Sequence, residues 1–362
     1  TKWKSWKDER ASLTWQIQRG SGHEDKTIGM DGLFRLEGEG YWGECNVMKR
    51  DSALRKKSFF RRQGLLQTFA MLGMLYLLIF TFLPMAGIVM AFKDYSIDQK
   101  AVEMFSSKWV GIRHFRDFVH DINFYPIVRN TIVLSVLKLL FSFPMPILFA
   151  ILINEVRNQP FKRIAQTVSY LPHFISWVII AGLAISFFSS DGVINTLLMR
   201  LGLIHTPIPY LTSSGDYWPL AVFLDVWKDM GWWAIIFLAA ITGIDPTLYS
   251  AAELDGAGRL RKIWSITLPS IRGTVTVVLI LTLGNLFGGG LSGSNFEQSY
   301  LLGNTMNFER SEILQTHIFK TGLVNSRFAY ATAVGLIQSI ISLILVFISN
   351  AVSKRVSDTS LF

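Results

Sequence analysis

The sequence is short of cysteine and of charged residues. Its 362 residues include a single cysteine, Cys45, so a framework of disulfides is excluded. Only 17% of the residues are charged and 50% are hydrophobic, whereas soluble domains carry about a quarter charged residues. This composition predicts an integral membrane protein.

Two kinds of catalytic motif are also absent from the sequence. No Gly-x-x-x-x-Gly-Lys-Ser/Thr loop occurs, so the chain has no P-loop for nucleotide phosphates. The six histidines are scattered, without the close spacing that metal ligands need. We therefore expect no catalytic residue, no metal site and no cofactor in this chain.

Six long apolar runs dominate what is present. A helix needs about 20 apolar residues to cross the hydrocarbon core. None of the runs alternates in the apolar/polar manner of a barrel strand, so the predicted fold class is all-α with six transmembrane helices. The predicted spans are Leu65–Phe92, Ile127–Asn154, Ile164–Phe188, Trp218–Ile241, Ile271–Phe287 and Phe328–Val352.

Lysine and arginine predict the orientation of these spans, because cytoplasmic loops carry an excess of both. They concentrate before span one, after spans two and four, and after span six. Both termini are therefore predicted to be cytoplasmic. The predicted organisation is a cytoplasmic extension over 1–64, loosely ordered over 1–47, a transmembrane domain over 65–355 and a cytoplasmic tail over 356–362. Met48, which a basic segment follows, is a candidate native start.

The loop 244–271, between spans four and five, predicts two short helices that meet at a bend. Asp245 can cap the first helix, with Pro246 in its first turn. Gly256 and Gly258 allow the backbone to turn, and Pro269 can begin span five. Such an elbow on the inner face of the membrane can dock into another protein, although a plain linker has the same residue types.

The spacing within this loop resembles the coupling motif of permeases of binding-protein-dependent ABC importers. That motif reads Glu-Ala-Ala, three residues, Gly, nine residues, Ile, one residue, Leu-Pro. The chain departs from it at the first position, where Ser250 replaces Glu, and the nearby acids Glu253 and Asp255 are the alternatives for the missing charge. The candidate ATPase-coupling residues are Ser250, Ala251, Ala252, Glu253, Asp255, Gly256, Ile266, Leu268 and Pro269.

Other segments resemble the polysaccharide subgroup of these permeases, which imports oligosaccharides such as alginate and rhamnogalacturonan fragments. They include Leu152–Asn158, Gln166–Trp177 and Ala329–Gly335. The resemblance implies a type I importer fold in the bacterial inner membrane and an oligosaccharide substrate. It also implies a second homologous permease, two ATPase subunits that carry ATP and Mg²⁺, and an extracellular solute-binding protein.

Polar residues within spans are candidates for a substrate pathway, because hydrocarbon penalises them. Aromatic rings cover the apolar faces of sugars, and polar groups meet the hydroxyls. Asp225 and Lys228 can instead form an ion pair in the outer half of span four. The tryptophans can be interfacial, and the amides can only bridge helices. The candidate pathway residues are Lys138, Trp177, Trp227, Lys228, Asp229, Trp232, Asn285 and Gln338.

Two alternative functions remain at this point. A secondary transporter driven by an ion gradient would need a titratable relay within its spans. A membrane enzyme would need a grouping of catalytic residues, and none can be argued from the sequence. Six spans with a cytoplasmic elbow favour a permease subunit that receives its ATPase from a partner.

Overall fold

The computed structural model describes residues 64–96 and 101–357. Within these residues every regular element is helical, and the one bridge between extended segments joins Lys93 to Trp109. The all-α prediction is therefore confirmed. Most of the predicted extension 1–64, including Met48, and the end of the predicted tail lie outside the described residues, so the domain boundaries stay predictions.

The described residues divide into two compact units, the first ending at Thr81 and the second beginning at Phe82. In the first unit, α1 spans Gly64–Leu77 and a π-helical turn begins at Leu78. In the second unit, a 3-10 helix covers Ala86–Phe92. The helices that follow are α2 Arg113–Val119, α3 Phe124–Phe141, α4 Pro144–Glu155, α5 Gln159–Tyr170, α6 Trp177–Phe188, α7 Val193–Arg200, α8 Ser214–Thr242, α9 Pro246–Leu254, α10 Arg259–Lys262, α11 Leu268–Gly284, α12 Asn295–Leu302, α13 Phe308–Ser311, α14 Leu314–Phe319 and α15 Phe328–Ser357.

Five helical stretches of the described residues are long and apolar enough to cross a membrane. They are Leu66–Phe92, Phe124–Glu155, Trp177–Arg200, Arg259–Gly284 and Phe328–Ala351. A sixth is obtained when α8 is joined to α9, from which it is bent by 69°. Helix α8 has 29 residues, ample length for a span, and its acidic and basic residues lower its hydropathy.

The prediction for the third span was wrong at its beginning. Residues from Ile164 to Tyr170 belong to α5, which is a separate helix with Pro160 in its first turn. A 3-10 turn follows at Leu171–Phe174, with Pro172 in it. The apolar helix α6 begins only after Ser176, whose hydroxyl accepts a hydrogen bond from the N–H of Ile179 at 3.4 Å. Proline and an N-cap residue thus divide an apolar run that looks continuous.

Helix α8 lies at the centre of the second unit. One apolar core packs around its N-terminal part and includes Leu134 of α3, Ile180 of α6 and Leu224 of α8. Another packs around its C-terminal part and includes Ile151 of α4 and Phe237 of α8. Helix α8 also approaches α5 closely at Gly231, where an added Cβ would lie only 2.1 Å from the carbonyl oxygen of Ser169. Only glycine fits at this crossing.

Candidate coupling elbow and intramembrane polar groups

The loop 244–271 forms the predicted elbow, in which α9 and α10 are joined by a bend. The carboxylate of Asp245 accepts a hydrogen bond from the N–H of Thr247 at 2.9 Å, and Pro246 is the first residue of α9. This bond holds the pKa of Asp245 below its ordinary value. The predicted cap and the proline at the start of the helix are both confirmed.

Gly256 produces the bend after α9. Its φ is +73°, in the region that side chains disfavour, while a Cβ built there would meet nothing within 4 Å. The requirement for glycine is therefore one of backbone conformation and not of space. Gly258 has equally open surroundings, but its φ is −70°, which other residues adopt readily.

Two contacts hold the arms of the elbow together. Nζ of Lys262 lies 2.5 Å from Oε1 of Glu253, and this hydrogen bond and charge hold the pKa of Glu253 below its ordinary value. The hydroxyls of Tyr249 and Thr267 lie 2.9 Å apart. Glu253 therefore already has a partner within its own chain.

Large apolar side chains of the elbow are exposed. Leu254 at the end of α9 is 91% exposed, and Leu260 and Trp264 are also largely exposed. Ser250, Ala251 and Asp255 are exposed too, whereas Ile266 and Leu268 are half-buried. An exposed cluster of large apolar side chains beside small ones is typical of a docking surface.

A buried ion pair connects α3 and α8 within the spans. Nζ of Lys138 lies 3.1 Å from Oδ1 of Asp225, and both side chains are almost fully buried. The hydroxyls of Ser292 and Ser294 each donate a hydrogen bond to Asp225 at 2.6 Å. The predicted pair of Asp225 with Lys228 was therefore wrong, because a partner distant in sequence neutralises Asp225.

A second polar group, which we call the His173 cluster, consists of His173, Lys228, Asp229 and Trp232. Nδ1 of His173 lies 2.7 Å from Oδ1 of Asp229, and Nζ of Lys228 donates to the carbonyl oxygen of His173 at 2.6 Å. Nζ of Lys228 also lies 3.6 Å from Asp229. The rings of His173 and Trp232 stack in parallel with centroids 4.4 Å apart.

The two charged residues of this cluster lie near the middle of α8, and both are buried. The structure brings Trp177 near them, with its ring 5.8 Å from Nζ of Lys228. Trp227 is 43% exposed and lies about 140° around the helix from Trp232 at 3.6 residues per turn. These candidates thus occupy two faces of α8.

Among the described residues, the remaining pathway candidates form no hydrogen bond or ion pair with the His173 cluster. Asn285 follows α11 and donates a hydrogen bond to the carbonyl oxygen of Gly290 at 3.1 Å, and Gln338 is half-buried on α15. Lys138 is enclosed by its ion pair. The sequence did not identify Ser292 and Ser294 as partners of Asp225, and it assigned no role to His173. The one feature that could have indicated His173 is the presence of an ionisable histidine within an apolar run.

The chain is similar in sequence to membrane components of bacterial transport systems. Residues 142–358 match the model of the family described as binding-protein-dependent transport system inner membrane component. Protein LplB of Bacillus subtilis (strain 168) is 42% identical over 80% of this chain and 88% of its own length. The polygalacturonan/rhamnogalacturonan transport system permease protein YteP of the same strain is 39% identical over 87% of this chain and 96% of its own length.

Solved structures show a similar fold. A chain in the crystal structure of a bacterial ABC transporter involved in the import of the acidic polysaccharide alginate has a TM-score of 0.75 and 36% identity. The match covers 84% of this chain and 99% of that one. A structure of the bacterial alginate transporter with a periplasmic protein that holds an alginate pentasaccharide matches with the same TM-score and 35% identity.

Proposed function

Because the chain belongs to the binding-protein-dependent transport system inner membrane components, we propose that it is one permease subunit of an importer that moves acidic oligosaccharides across the bacterial inner membrane with energy from ATP. The observation that carries this proposal is a fold match over 99% of a chain of an alginate transporter, at 36% identity. A permease of this family is a non-catalytic multi-pass component.

The substrate class is inferred from relatives. YteP is named for polygalacturonan and rhamnogalacturonan, and the structural neighbours import alginate; all three polymers carry sugar carboxylates. A substrate of this class needs hydrogen-bond donors and aromatic surfaces along its path. The aromatic side chains near the middle of α8 supply such surfaces, and His173, which packs against this helix, supplies a part-exposed polar group.

The elbow of loop 244–271 is the proposed contact with an ATPase subunit. We place it, and with it both termini, on the cytoplasmic side. Small Ala251 and Ala252 allow close approach, and exposed Leu254 supplies apolar area for docking. A short helix held to the next span through Glu253 and Lys262 can transmit a rigid-body movement of the ATPase to the spans.

The charge that Ser250 does not supply is proposed to come from Asp255. Glu253 is occupied by Lys262, whereas Asp255 is exposed and has no ion-pair partner among the described residues. Asp255 lies at the end of α9, directly before the bend. A basic side chain of the ATPase can therefore reach it without breaking a contact within this chain.

The proposed assembly contains this chain, a second homologous permease, two ATPase subunits that bind ATP and Mg²⁺, and an external binding protein that delivers the sugar. Purification of the chain from its native membrane in mild detergent, followed by mass spectrometry, tests this composition. We expect a second permease and an ATPase with a P-loop in stoichiometric amounts. Recovery of this chain without any ATPase, together with uptake that collapses with the ion gradient and not with ATP, would favour a secondary transporter.

A further inference from the structure

The ring of His173 is held in one orientation by three neighbours. Asp229 accepts a hydrogen bond from Nδ1–H at 2.7 Å, and Trp232 stacks on the ring with an interplanar angle of 1°. Lys228 fixes the backbone at the same residue through its bond to the carbonyl oxygen. A histidine fixed in this way presents its other nitrogen, Nε2, in a defined direction.

The charges behind His173 are already balanced. The side chains of Lys228 and Asp229 are both buried and lie 3.6 Å apart, so the pair is close to neutral as a unit. Asp229 therefore acts to orient the imidazole, and Lys228 to anchor its backbone. Neither residue is available as a direct contact for a ligand.

Part of the His173 side chain is exposed. About 30% of its side chain is exposed, and Nε2 has no hydrogen-bond partner among the residues that the structure describes. His173 packs against the middle of α8, at a depth where hydrocarbon surrounds a spanning helix. A polar ring nitrogen that has no hydrogen-bond partner in hydrocarbon costs considerable free energy. Ionisable side chains at such depth face the protein interior or a water-filled path.

We propose that His173 contacts the sugar during transport, with Nε2 hydrogen-bonding a hydroxyl or carboxylate, and that Asp229, Lys228 and Trp232 are positioning residues. This inference rests on the proposed function, and it assigns the contact to a residue different from the charged side chains of α8. The ligand is an oligosaccharide with uronate units. Its carboxylates and hydroxyls are groups that an imidazole can bind.

Two substitutions separate contact from positioning. In His173→Asn the amide can replace Nδ1 and keep the bond to Asp229, but nothing replaces Nε2. In His173→Gln the longer side chain brings an amide to the place of Nε2 and gives up the bond to Asp229. His205→Gln is the matched control, because His205 is an exposed residue in the loop between α7 and α8.

The experiment uses the complete complex with both permeases, ATPase and binding protein in proteoliposomes. Labelled trigalacturonate and an alginate trisaccharide are the probes, and uptake is measured per ATP hydrolysed. We expect His173→Asn to lower this ratio at least about tenfold, the effect of one lost hydrogen bond to a charged group. His173→Gln should stay within about twofold of the parent, and His205→Gln should equal it, with ATPase stimulation retained in all three.

The order of the two variants decides the question. Uptake by His173→Asn equal to or above that of His173→Gln would overturn the inference, because the bond to Asp229 would then matter more than Nε2. Failure of both variants to assemble would also overturn it, since His173 would be a structural residue. A parent complex that takes up neither probe would instead refute the proposed substrate class, and with it this inference.

Discussion

Lys138 of α3 and Asp225 of α8 neutralise each other within the membrane spans, with 3.1 Å between Nζ and Oδ1. Asp225 also accepts hydrogen bonds from the hydroxyls of Ser292 and Ser294. The ion pair thus ties two spans to the glycine-rich turn that follows α11. Either charge alone would be expensive in these surroundings, so the two residues act as a unit.

Removal of one partner of this pair should therefore destabilise the complex far more than removal of both charges. We expect Lys138→Met to destabilise the assembled complex by about 3–5 kcal/mol, because it leaves Asp225 charged and buried. The double variant Lys138→Met with Asp225→Asn should recover most of that loss and keep the two serine bonds. Thermal unfolding of the purified complex measures both. A double variant as unstable as the single one would show that the pair is not a coupled unit.

The bend of the elbow gives a prediction with a close internal control. Gly256→Val places a branched side chain at a φ of +73°, which costs about 1–2 kcal/mol or more. The bend should distort, so binding-protein-stimulated ATP hydrolysis and uptake should both fall by about five- to thirtyfold if docking loses that energy. The subunit content of the complex, checked on a gel, should remain normal.

Gly258→Val is the control for that change. Gly258 has equally open surroundings but a φ of −70°, which valine adopts readily. Its stimulated ATP hydrolysis should lie close to the parent's. If Gly256→Val also transports like the parent, the loop is only a linker; if both variants fail equally, bulk and not backbone conformation is responsible.

The ion pair of Glu253 with Lys262 should not titrate near neutral pH. A carboxyl whose pKa is lowered by folding stabilises the folded state above its unfolded pKa, and it loses that contribution as pH falls through the folded pKa. Lys262 lowers the pKa of Glu253, so this window lies on the acid side of its ordinary value. The ratio of stimulated ATP hydrolysis in the parent to that in Glu253→Gln should thus stay constant from about pH 8 to pH 5.5. A ratio that changes between these values would mean that Glu253 titrates within the working range.

Local features of this chain were predictable from the sequence, and long-range ones were not. The cap at Asp245 and the bend at Gly256 depend on neighbouring residues, and their residue types define them. The length of the apolar runs located the spans. The partners of Asp225 and of His173 could not be found in this way, because Ser294 is 69 residues from Asp225 and Asp229 is 56 residues from His173. Only packing of the helices brings them together.

The third span shows a different limit. Ile164–Phe188 is apolar enough to resemble one helix, but Pro172 and Ser176 divide it. Hydropathy averaged over a long window does not detect a break of this kind. The short turn that results is also what carries His173 to α8.

Orientation of the chain can be tested without its partners. Positively charged loops predict that the end of α15 and the elbow share the cytoplasmic side. A reporter that is active only in the cytoplasm, fused after Phe362, should be active, and a periplasmic reporter at the same position should be silent. The reverse pattern would place the elbow outside and exclude its contact with an ATPase.

Uptake into proteoliposomes that contain the whole complex tests the central claim most directly. The complex is oriented with the coupling elbow facing the lumen, and ATP is either enclosed in the lumen or omitted. The binding protein is added outside, together with labelled trigalacturonate or an alginate trisaccharide. We expect accumulation that needs ATP, the binding protein and this chain together, and that persists when ionophores collapse all ion gradients. Accumulation without ATP, or its loss with the ion gradient while ATP remains, would contradict the assignment of this chain as a permease of an ATP-driven importer.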